Sequence, residues 1–245
     1  MANTWVQIPA LPLLISMNNA LGFLRNYSKI SQIDEVLELM VKLETNLAKL
    51  DLENLKEFNK TYRIITSDVK EKLGNGFFSN DKWMEKLDVV FAKFYFKALV
   101  DYIDDGNPPK AWQFAFDSIK KSNKPKYIYL LLGVNAHINS DLPIVVAKLF
   151  NKNRKGDFIS INKILEGKID LIIKELNGDS KLLRLMQGIF RPMYQDFVIN
   201  MLISWREEAW EKAGLMKNSK DKSSIVKQIE SDALKKAKEI ALLSL

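Results

Sequence analysis

The residues best suited to chemistry lie in one run from Leu130 to Pro143, LLLGVNAHINSDLP. This run is apolar enough to be core, yet it contains four strongly polar side chains, namely Asn135, His137, Asn139 and Asp141. An imidazole takes or gives a proton near neutral pH, and a carboxylate can hold it in one orientation. The run therefore predicts a site for acid or base catalysis, with the asparagine amides available to hydrogen-bond a substrate.

The composition restricts the chemistry of such a site. The 245 residues include no cysteine and one histidine, which excludes disulfides, thiolate nucleophiles, iron–sulfur clusters and zinc sites built from several histidines or cysteines. No cofactor is predicted. The one metal alternative is a single divalent ion held by His137 and Asp141, with Asp88 or another carboxylate completing the site.

The spacing of the four polar residues predicts two pairs on opposite sides of one helix. Residues four apart share a face, so Asn135 pairs with Asn139 and His137 with Asp141, whereas two residues turn through about 200°. If the helix continues through Pro143, the Asn139 carbonyl loses its usual donor. Structural interpretations stay open, since Asp141 could cap a new helix, the asparagines could tie helices together and His137 could be a hydrogen-bonded core residue.

Asp88 is the second candidate, because it lies in an apolar stretch where a carboxylate needs a partner or has a raised pKa. It could orient His137 from a neighbouring helix, or it could hold Arg206 or Tyr62 in a structural network. The catalytic candidates are therefore His137, Asp141 and Asp88. The candidates for substrate binding are Asn135, Asn139, Asn59, Tyr62, Tyr95 and Arg206.

The elements that would position these residues are helical, because apolar residues recur at helical spacing and neither a strand pattern nor a fixed-period repeat competes. Nine segments are predicted: Ser31 (N-cap) to about Leu50, about Leu55 to Gly74-Asn75-Gly76, Asn80 or Asp81 to about Tyr102, a short helix around Trp112 and Phe116, a segment within Lys126 to Asn151, Ser160 (N-cap) to Asn177-Gly178, Asp179 to Phe190, Pro192 to Gly214, and about Ser224 to Leu243. The sequence predicts an all-α, single-domain bundle of about nine helices.

Three regions are expected within this domain. Residues 1–30 form an apolar N-terminal segment, residues 31–214 the helical core, and residues 215–245 a linker, Met216 to Lys222, with a lysine-rich helix packed on the core. No basic residue precedes Arg25 and two prolines interrupt the apolar run, so no export signal is predicted. No stretch predicts a membrane span, and a cytoplasmic location is expected.

The charge and the aromatic content indicate the class of partner. The net charge of +7 comes almost wholly from lysine, with six arginines in the chain; lysines spread over helix faces are typical of a solvated surface, so nucleic-acid binding is not predicted. Aromatic residues are abundant in the candidate segments, which predicts a small, largely apolar molecule as ligand. Assembly into a homo-oligomer stays open.

The run NAHIN followed by DLP, from Asn135 to Pro143, resembles the signature of an uncharacterised bacterial family of domains of unknown function. Three further stretches resemble that family in the same order: Phe58 to Tyr62 with Thr66, Leu87 to Ala92 with Tyr95, and Ser204 to Arg206 with Ala209 and Trp210. The resemblance extends from about Ile33 to Trp210 and leaves the N-terminal segment and the last helix outside. It implies a helical bacterial domain without an established activity.

A partial resemblance concerns only His137, Asp141 and Pro143. They are similar to the opening of the metal-binding segment of helical zinc phospholipases C and P1-type nucleases, which carry a histidine and an aspartate four apart. Those proteins have further histidines and this chain has none. The resemblance therefore implies no trinuclear zinc site here.

Two functions follow from the sequence. The first is an enzyme that acts on a largely apolar small molecule by His/Asp proton transfer, in hydrolysis, isomerisation or cyclisation. The alternative is a non-catalytic helical module that binds a ligand or a protein, in which the NAHIN-x-D cluster is structural. A cavity beside His137 lined by Asp88 and an asparagine amide would favour the enzyme, whereas a solid core with all four side chains mutually bonded would exclude it.

Overall fold

The computed structural model describes residues 22–104, 106–121, 123–176 and 181–243, and within these ranges it describes no side chains at 173–176 and 181–195. The described chain forms nine α-helices and no strand. They are α1 (Ile33–Asn46), α2 (Lys56–Lys72), α3 (Asp81–Ile103), α4 (Lys110–Lys121), α5 (Lys126–Asn135), α6 (Leu142–Lys148), α7 (Lys155–Leu176), α8 (Lys181–Asn218) and α9 (Lys222–Leu242). The predicted all-α, single-domain bundle of about nine helices is confirmed. Residues 1–21 of the predicted N-terminal segment lie outside the described residues.

Local signals account for the junction between α2 and α3. Gly74 and Gly76 follow α2 with φ angles of 75° and 71°, which glycine adopts without steric cost. The side chain of Asn80 then accepts a hydrogen bond from the Trp83 N–H at 2.8 Å and caps α3. Both the stop and the start agree with the predicted ends.

Other predicted helix ends are wrong, including the end at Gly214, because that helix continues to Asn218. The N-cap of α1 is Gln32 rather than Ser31, and Ser160 lies inside α7 rather than at its start. The two helices predicted on either side of Pro192 are one continuous helix, α8; Asp179, the predicted start of the first, lies outside the described residues. End signals are local and weak, and extensive packing, such as that of α8 on α6, overrides them.

One long helix lies at the centre of the bundle. A π-helical segment, Ala136–Asp141, joins α5 to α6, so that Lys126–Lys148 forms a single "central helix". It packs against α2, α3, α4, α8 and α9. The central helix is long enough to cross a membrane, and an 18-residue window within it has a mean hydropathy of 1.3. However, 78% of that window is buried inside the bundle. A core helix of a folded domain has the same properties, so this is weak evidence for a span.

The final helix, α9, is part of the core. Ile229, Ala233 and Ala237 are completely buried, and Ala233 and Ala237 belong to the main apolar cluster together with Ile240. Only residues 219–221 separate α8 from α9, so the connection is shorter than the predicted linker, Met216 to Lys222.

Gly133 allows α5 to lie close to α2, and it provides a test of the core. A Cβ atom at Gly133 would lie 2.6 Å from Cγ of Phe58, whose ring is held edge-on against Tyr95 and Trp112. We expect Gly133→Ala to lower the free energy of unfolding by about 1–3 kcal/mol in urea denaturation, because the new methyl group would meet Cγ and Cβ of Phe58, which cannot move away without a shift of the helix backbone. The matched control is Gly167→Ala in α7, where nothing lies within 4 Å; it should raise the stability by up to about 1 kcal/mol. Equal effects of the two changes would contradict the close packing.

Candidate functional site

The backbone of the candidate site departs from the α-helical pattern. The Leu142 N–H donates to the carbonyl of His137, five residues earlier, and all six residues of the π segment are buried. Pro143, the residue after Leu142, has no N–H, so the regular series of i to i−4 hydrogen bonds cannot continue through it. Single π turns within α-helices are frequent at functional sites.

Both predicted side-chain pairs form on the central helix. Asn139 Nδ2 donates to Asn135 Oδ1 at 3.1 Å, and His137 Nδ1 lies 3.1 Å from Asp141 Oδ2. The first pair faces α9 and the second faces α2, α3 and α4. The prediction that the pairs point to opposite sides is confirmed.

The asparagine pair bonds to the C-terminal helix. Asn135 Nδ2 donates to the Ala233 carbonyl at 2.9 Å, and Lys236 Nζ donates to Asn139 Oδ1 at 3.0 Å and to Glu208 Oε2 at 2.7 Å. Neither asparagine lines the cavity described below. These two residues, predicted to bind substrate, therefore occupy positions that join the central helix to α9.

His137 and Asp141 form a buried pair extended by a tryptophan. Asp141 Oδ2 also accepts the Trp112 Nε1–H at 2.8 Å, and the side chains of His137 and Asp141 are only 4% and 1% exposed. Burial lowers the pKa of His137 well below its usual value and raises that of Asp141, against the opposing effect of the Trp112 hydrogen bond. Both directions favour uncharged side chains. Of the two predicted orienting carboxylates, Asp141 is the one that contacts the imidazole.

Aromatic rings fix the orientation of the imidazole. The Phe91 ring stacks on it with a centroid separation of 3.4 Å and an interplanar angle of 9°. The Tyr62 ring lies at 4.5 Å and the Phe58 ring at 5.7 Å, edge-on. His137 Nε2 is buried and makes no hydrogen bond. The ring thus presents one unpaired nitrogen in a fixed position.

A partly open cavity of about 140 Å³ borders His137. Its walls come from α2, α3, the central helix, α7 and α8, and almost all described lining side chains are apolar. The polar side chains on the described part of the wall are Thr61, Tyr62, Asp88, His137 and Arg206. An apolar cavity with a few convergent polar groups is typical of a small-molecule site.

Besides His137, two of these polar residues lack normal hydrogen-bond partners. Asp88 Oδ2 is buried without a hydrogen bond, and burial, assisted by the charge of Glu85, raises the pKa of Asp88 to about 7. The Tyr62 hydroxyl makes no hydrogen bond of normal geometry, although Thr66 stands beside it. Burial and the nearby Asp88 and Asp141 carboxyls raise the pKa of Tyr62 well above its usual value. Unpaired buried polar groups cost about 1–3 kcal/mol each, so their concentration at one cavity needs a functional explanation.

The remaining predicted residues divide between the wall and the core. Arg206 is on the wall, where Asn162 and Phe158 rather than Asp88 hold it. Asn59 donates to the Met40 carbonyl at 2.9 Å, and the Tyr95 ring stacks on Trp112 at 5.3 Å. Neither Asn59 nor Tyr95 is a lining residue.

Sequence reasoning missed two contributors to the site. Trp112 is predicted only as part of a short helix, yet it supplies the second hydrogen bond to Asp141 across 29 positions of sequence. Gly133 makes room for Phe58, which borders both His137 and the cavity. A glycine inside a strongly apolar helical run was the available signal for close approach of another element.

The metal alternative predicted from the sequence is a single divalent ion at His137. In the ranges that the structure describes, no three or more histidine, aspartate or glutamate side chains come together as ligands for one ion. His137 and Asp141 are already bonded to each other.

Comparison with known proteins places the chain in a family. The family of unknown function DUF5995 matches residues 33–243, and the chain belongs to it. The resemblance to an uncharacterised family is confirmed, but the expectation that the last helix lies outside it is wrong, because the match includes α9. No curated protein and no solved structure matches the chain.

Proposed function

We propose that the protein is an enzyme that moves protons on a small, largely apolar molecule bound in the cavity. The observation that carries the proposal is the hydrogen-bonded series of Trp112, Asp141 and His137. This series is buried beside an apolar cavity and leaves Nε2 of His137 unpaired. In the His137 tautomer that carries its proton on Nδ1, the His137 Nδ1–H and the Trp112 Nε1–H both donate to Asp141 Oδ2. Nε2 then keeps the lone pair that removes a proton from a substrate.

Asp88 supports the proposal as a second proton-transfer group. A carboxyl with a pKa of about 7 is present in both protonation states near neutral pH, which is the range in which an acid or base works best. One group can remove a proton and the other can return one at a different atom. Isomerisation is therefore the reaction class that these two residues suit best, with hydrolysis and cyclisation using the same pair.

A non-catalytic ligand-binding module is the second candidate. It is favoured by the hydrogen bonds that Asn135 and Asn139 make to Ala233 and Lys236, because half of the motif already has a structural role. In that case His137 and Asp141 would orient a bound ligand without chemistry.

The single histidine makes the test direct. In tag-free protein labelled with ¹⁵N-histidine, every imidazole signal belongs to His137. We expect small apolar ketones such as cyclohexanone and cyclopentanone to shift the Nε2 signal, and the protein to catalyse exchange of their α-hydrogens in D₂O. His137→Asn should lower the exchange rate by about 10²- to 10⁴-fold.

The Asn variant is chosen to separate catalysis from folding. Its amide N–H can still donate to Asp141, but it cannot take up a proton at neutral pH. Exchange that continues at the native rate in His137→Asn would contradict the catalytic role. Shifts of the Nε2 signal without hydrogen exchange would support the ligand-binding alternative. If the ketones cause no shift and undergo no exchange, both candidate functions are contradicted.

A further inference from the structure

Arg206 is a buried cation that no carboxylate of the described residues contacts. It is 5% exposed, and its described hydrogen bonds go to neutral acceptors: Nε donates to Asn162 Oδ1 at 2.9 Å and Nη2 donates to the Phe158 carbonyl at 2.8 Å. Its guanidinium carbon also lies 4.4 Å from the centre of the Phe158 ring. In the described part of the chain no carboxylate pairs with it, and a buried charge of this kind is rare in proteins.

The two acceptors hold the guanidinium while leaving part of it unused. Both belong to α7, so they fix Arg206 of α8 on the cavity wall. Nη1 donates to no described residue. Burial lowers the pKa of Arg206 to about 10, so the side chain keeps its charge at neutral pH.

Asp88, the acidic residue on the same cavity wall, does not neutralise the charge of Arg206. No hydrogen bond or ion pair joins Asp88 to Arg206, and Asp88 Oδ2 has no hydrogen bond at all. The charge that acts on the Asp88 carboxyl is that of Glu85, which adds to the effect of burial in raising the pKa, and not that of Arg206. Glu207, the neighbour of Arg206 in sequence, raises the pKa of Arg206 through its charge, but it forms its ion pair with Lys155 at 3.3 Å.

We propose that Arg206 binds the carboxylate of a small apolar carboxylic acid whose hydrocarbon part fills the cavity. This inference rests on the proposed function, because it takes the cavity as the substrate site and names the class of substrate. A carboxylate matches the planar donors of a guanidinium and carries the single charge that one arginine balances. A phosphate carries more charge, and the described part of the cavity wall has no lysine to share it.

The cavity volume limits the size of the acid. A cavity of about 150 Å³ lined by aliphatic and aromatic residues holds one benzene molecule, and the cavity here measures about 140 Å³. The hydrocarbon part should therefore be about as large as a benzene ring. Benzoate and hexanoate are suitable probes, and benzamide and hexanamide are their uncharged counterparts of nearly the same shape.

Calorimetric titration of the full chain with these four compounds tests the inference. The native protein should bind each acid about 10- to 100-fold more tightly than its amide, the range expected for a hydrogen bond to a charged group. Arg206→Gln should reduce the affinity for the acid to that for the amide and leave the amide affinity unchanged. Arg206→Lys, which keeps the charge but loses the planar donors, should give an intermediate loss.

The matched control is Arg63→Gln. Arg63 pairs with Glu44 at 2.7 Å outside the cavity, so its removal should change neither affinity. Equal binding of acid and amide by the native protein would overturn the assignment of Arg206 while leaving the cavity as a ligand site. Failure of all four compounds to bind would overturn the site itself. The comparison of acid with amide in native protein needs no variant, so it stands even if Arg206→Gln does not fold.

Discussion

The Asp88→Asn variant is expected to be more stable than the native protein at about pH 8, by up to about 4 kcal/mol, and equally stable at about pH 4. Burial raises the pKa of Asp88 from 3.8 to about 7. Between these values the folded protein keeps a proton that the unfolded chain has released, so this residue makes stability fall as pH rises. An asparagine amide has the shape of the protonated carboxyl but cannot ionise, which removes the loss.

Urea denaturation at several pH values between these limits measures the effect. The matched control is Asp157→Asn, because the buried Asp157 carboxylate accepts the Ser79 N–H at 2.5 Å and pairs with Arg154 at 3.6 Å. That change should lower stability at about pH 8, where the charge of Asp157 has partners. A loss of stability in Asp88→Asn at the same pH would show that Asp88 has a stabilising partner and would contradict the prediction.

The Asp88 prediction also bears on function. A residue that lowers stability at neutral pH, and whose replacement raises stability, is characteristic of a functional site, because such sites keep activity at the cost of stability. If the proposed proton transfer is correct, the more stable Asp88→Asn variant should be the less active one in the deuterium-exchange assay.

The Asp141→Ala variant is expected to lose about 3–5 kcal/mol of unfolding free energy. The change removes the acceptor shared by Trp112 Nε1 and His137 Nδ1, at 2.8 and 3.1 Å, and leaves a space in the core. Two buried nitrogen atoms then lack partners, because Asp141 and His137 are almost completely shielded from water. The free energy from urea denaturation measures the loss.

Asp141→Asn is the matched variant for this site. Its amide oxygen can accept both N–H groups, and it has no charge for burial to disfavour. It should therefore keep most of the native stability, and the His137 ¹⁵N signals should stay close to their native positions. Equal losses in Asp141→Ala and Asp141→Asn would mean that an ionised carboxylate is required.

The parts of this fold that could be predicted are those that depend on nearby residues. Apolar periodicity predicted the all-α class and the approximate number of helices, because each amphipathic helix carries its own pattern. The pairs Asn135 with Asn139 and His137 with Asp141 followed from the four-residue spacing, and both form. Helix ends were less predictable, as Ser160 inside α7 shows, because tertiary packing outweighs a weak capping preference.

Only the part of the candidate site that lies on the central helix could be predicted. The run from Leu130 to Pro143 identifies the helix that carries the imidazole, but its partners come from distant segments. Trp112 lies 29 residues from Asp141, and Ala233 lies 98 residues from Asn135. No local pattern indicates which of these meets which pair.

The sequence by itself determined that the chain is helical, that its one imidazole lies at His137 and that Asp141 shares its helix face, because these properties depend on composition and on the geometry of a single helix. Only the tertiary structure decided that Asp141 rather than Asp88 contacts His137, that the asparagines join α9, and that Arg206 and Asp88 border one cavity. Spacing along a helix selects the side on which a residue lies, but the packing of the other helices selects what it meets there.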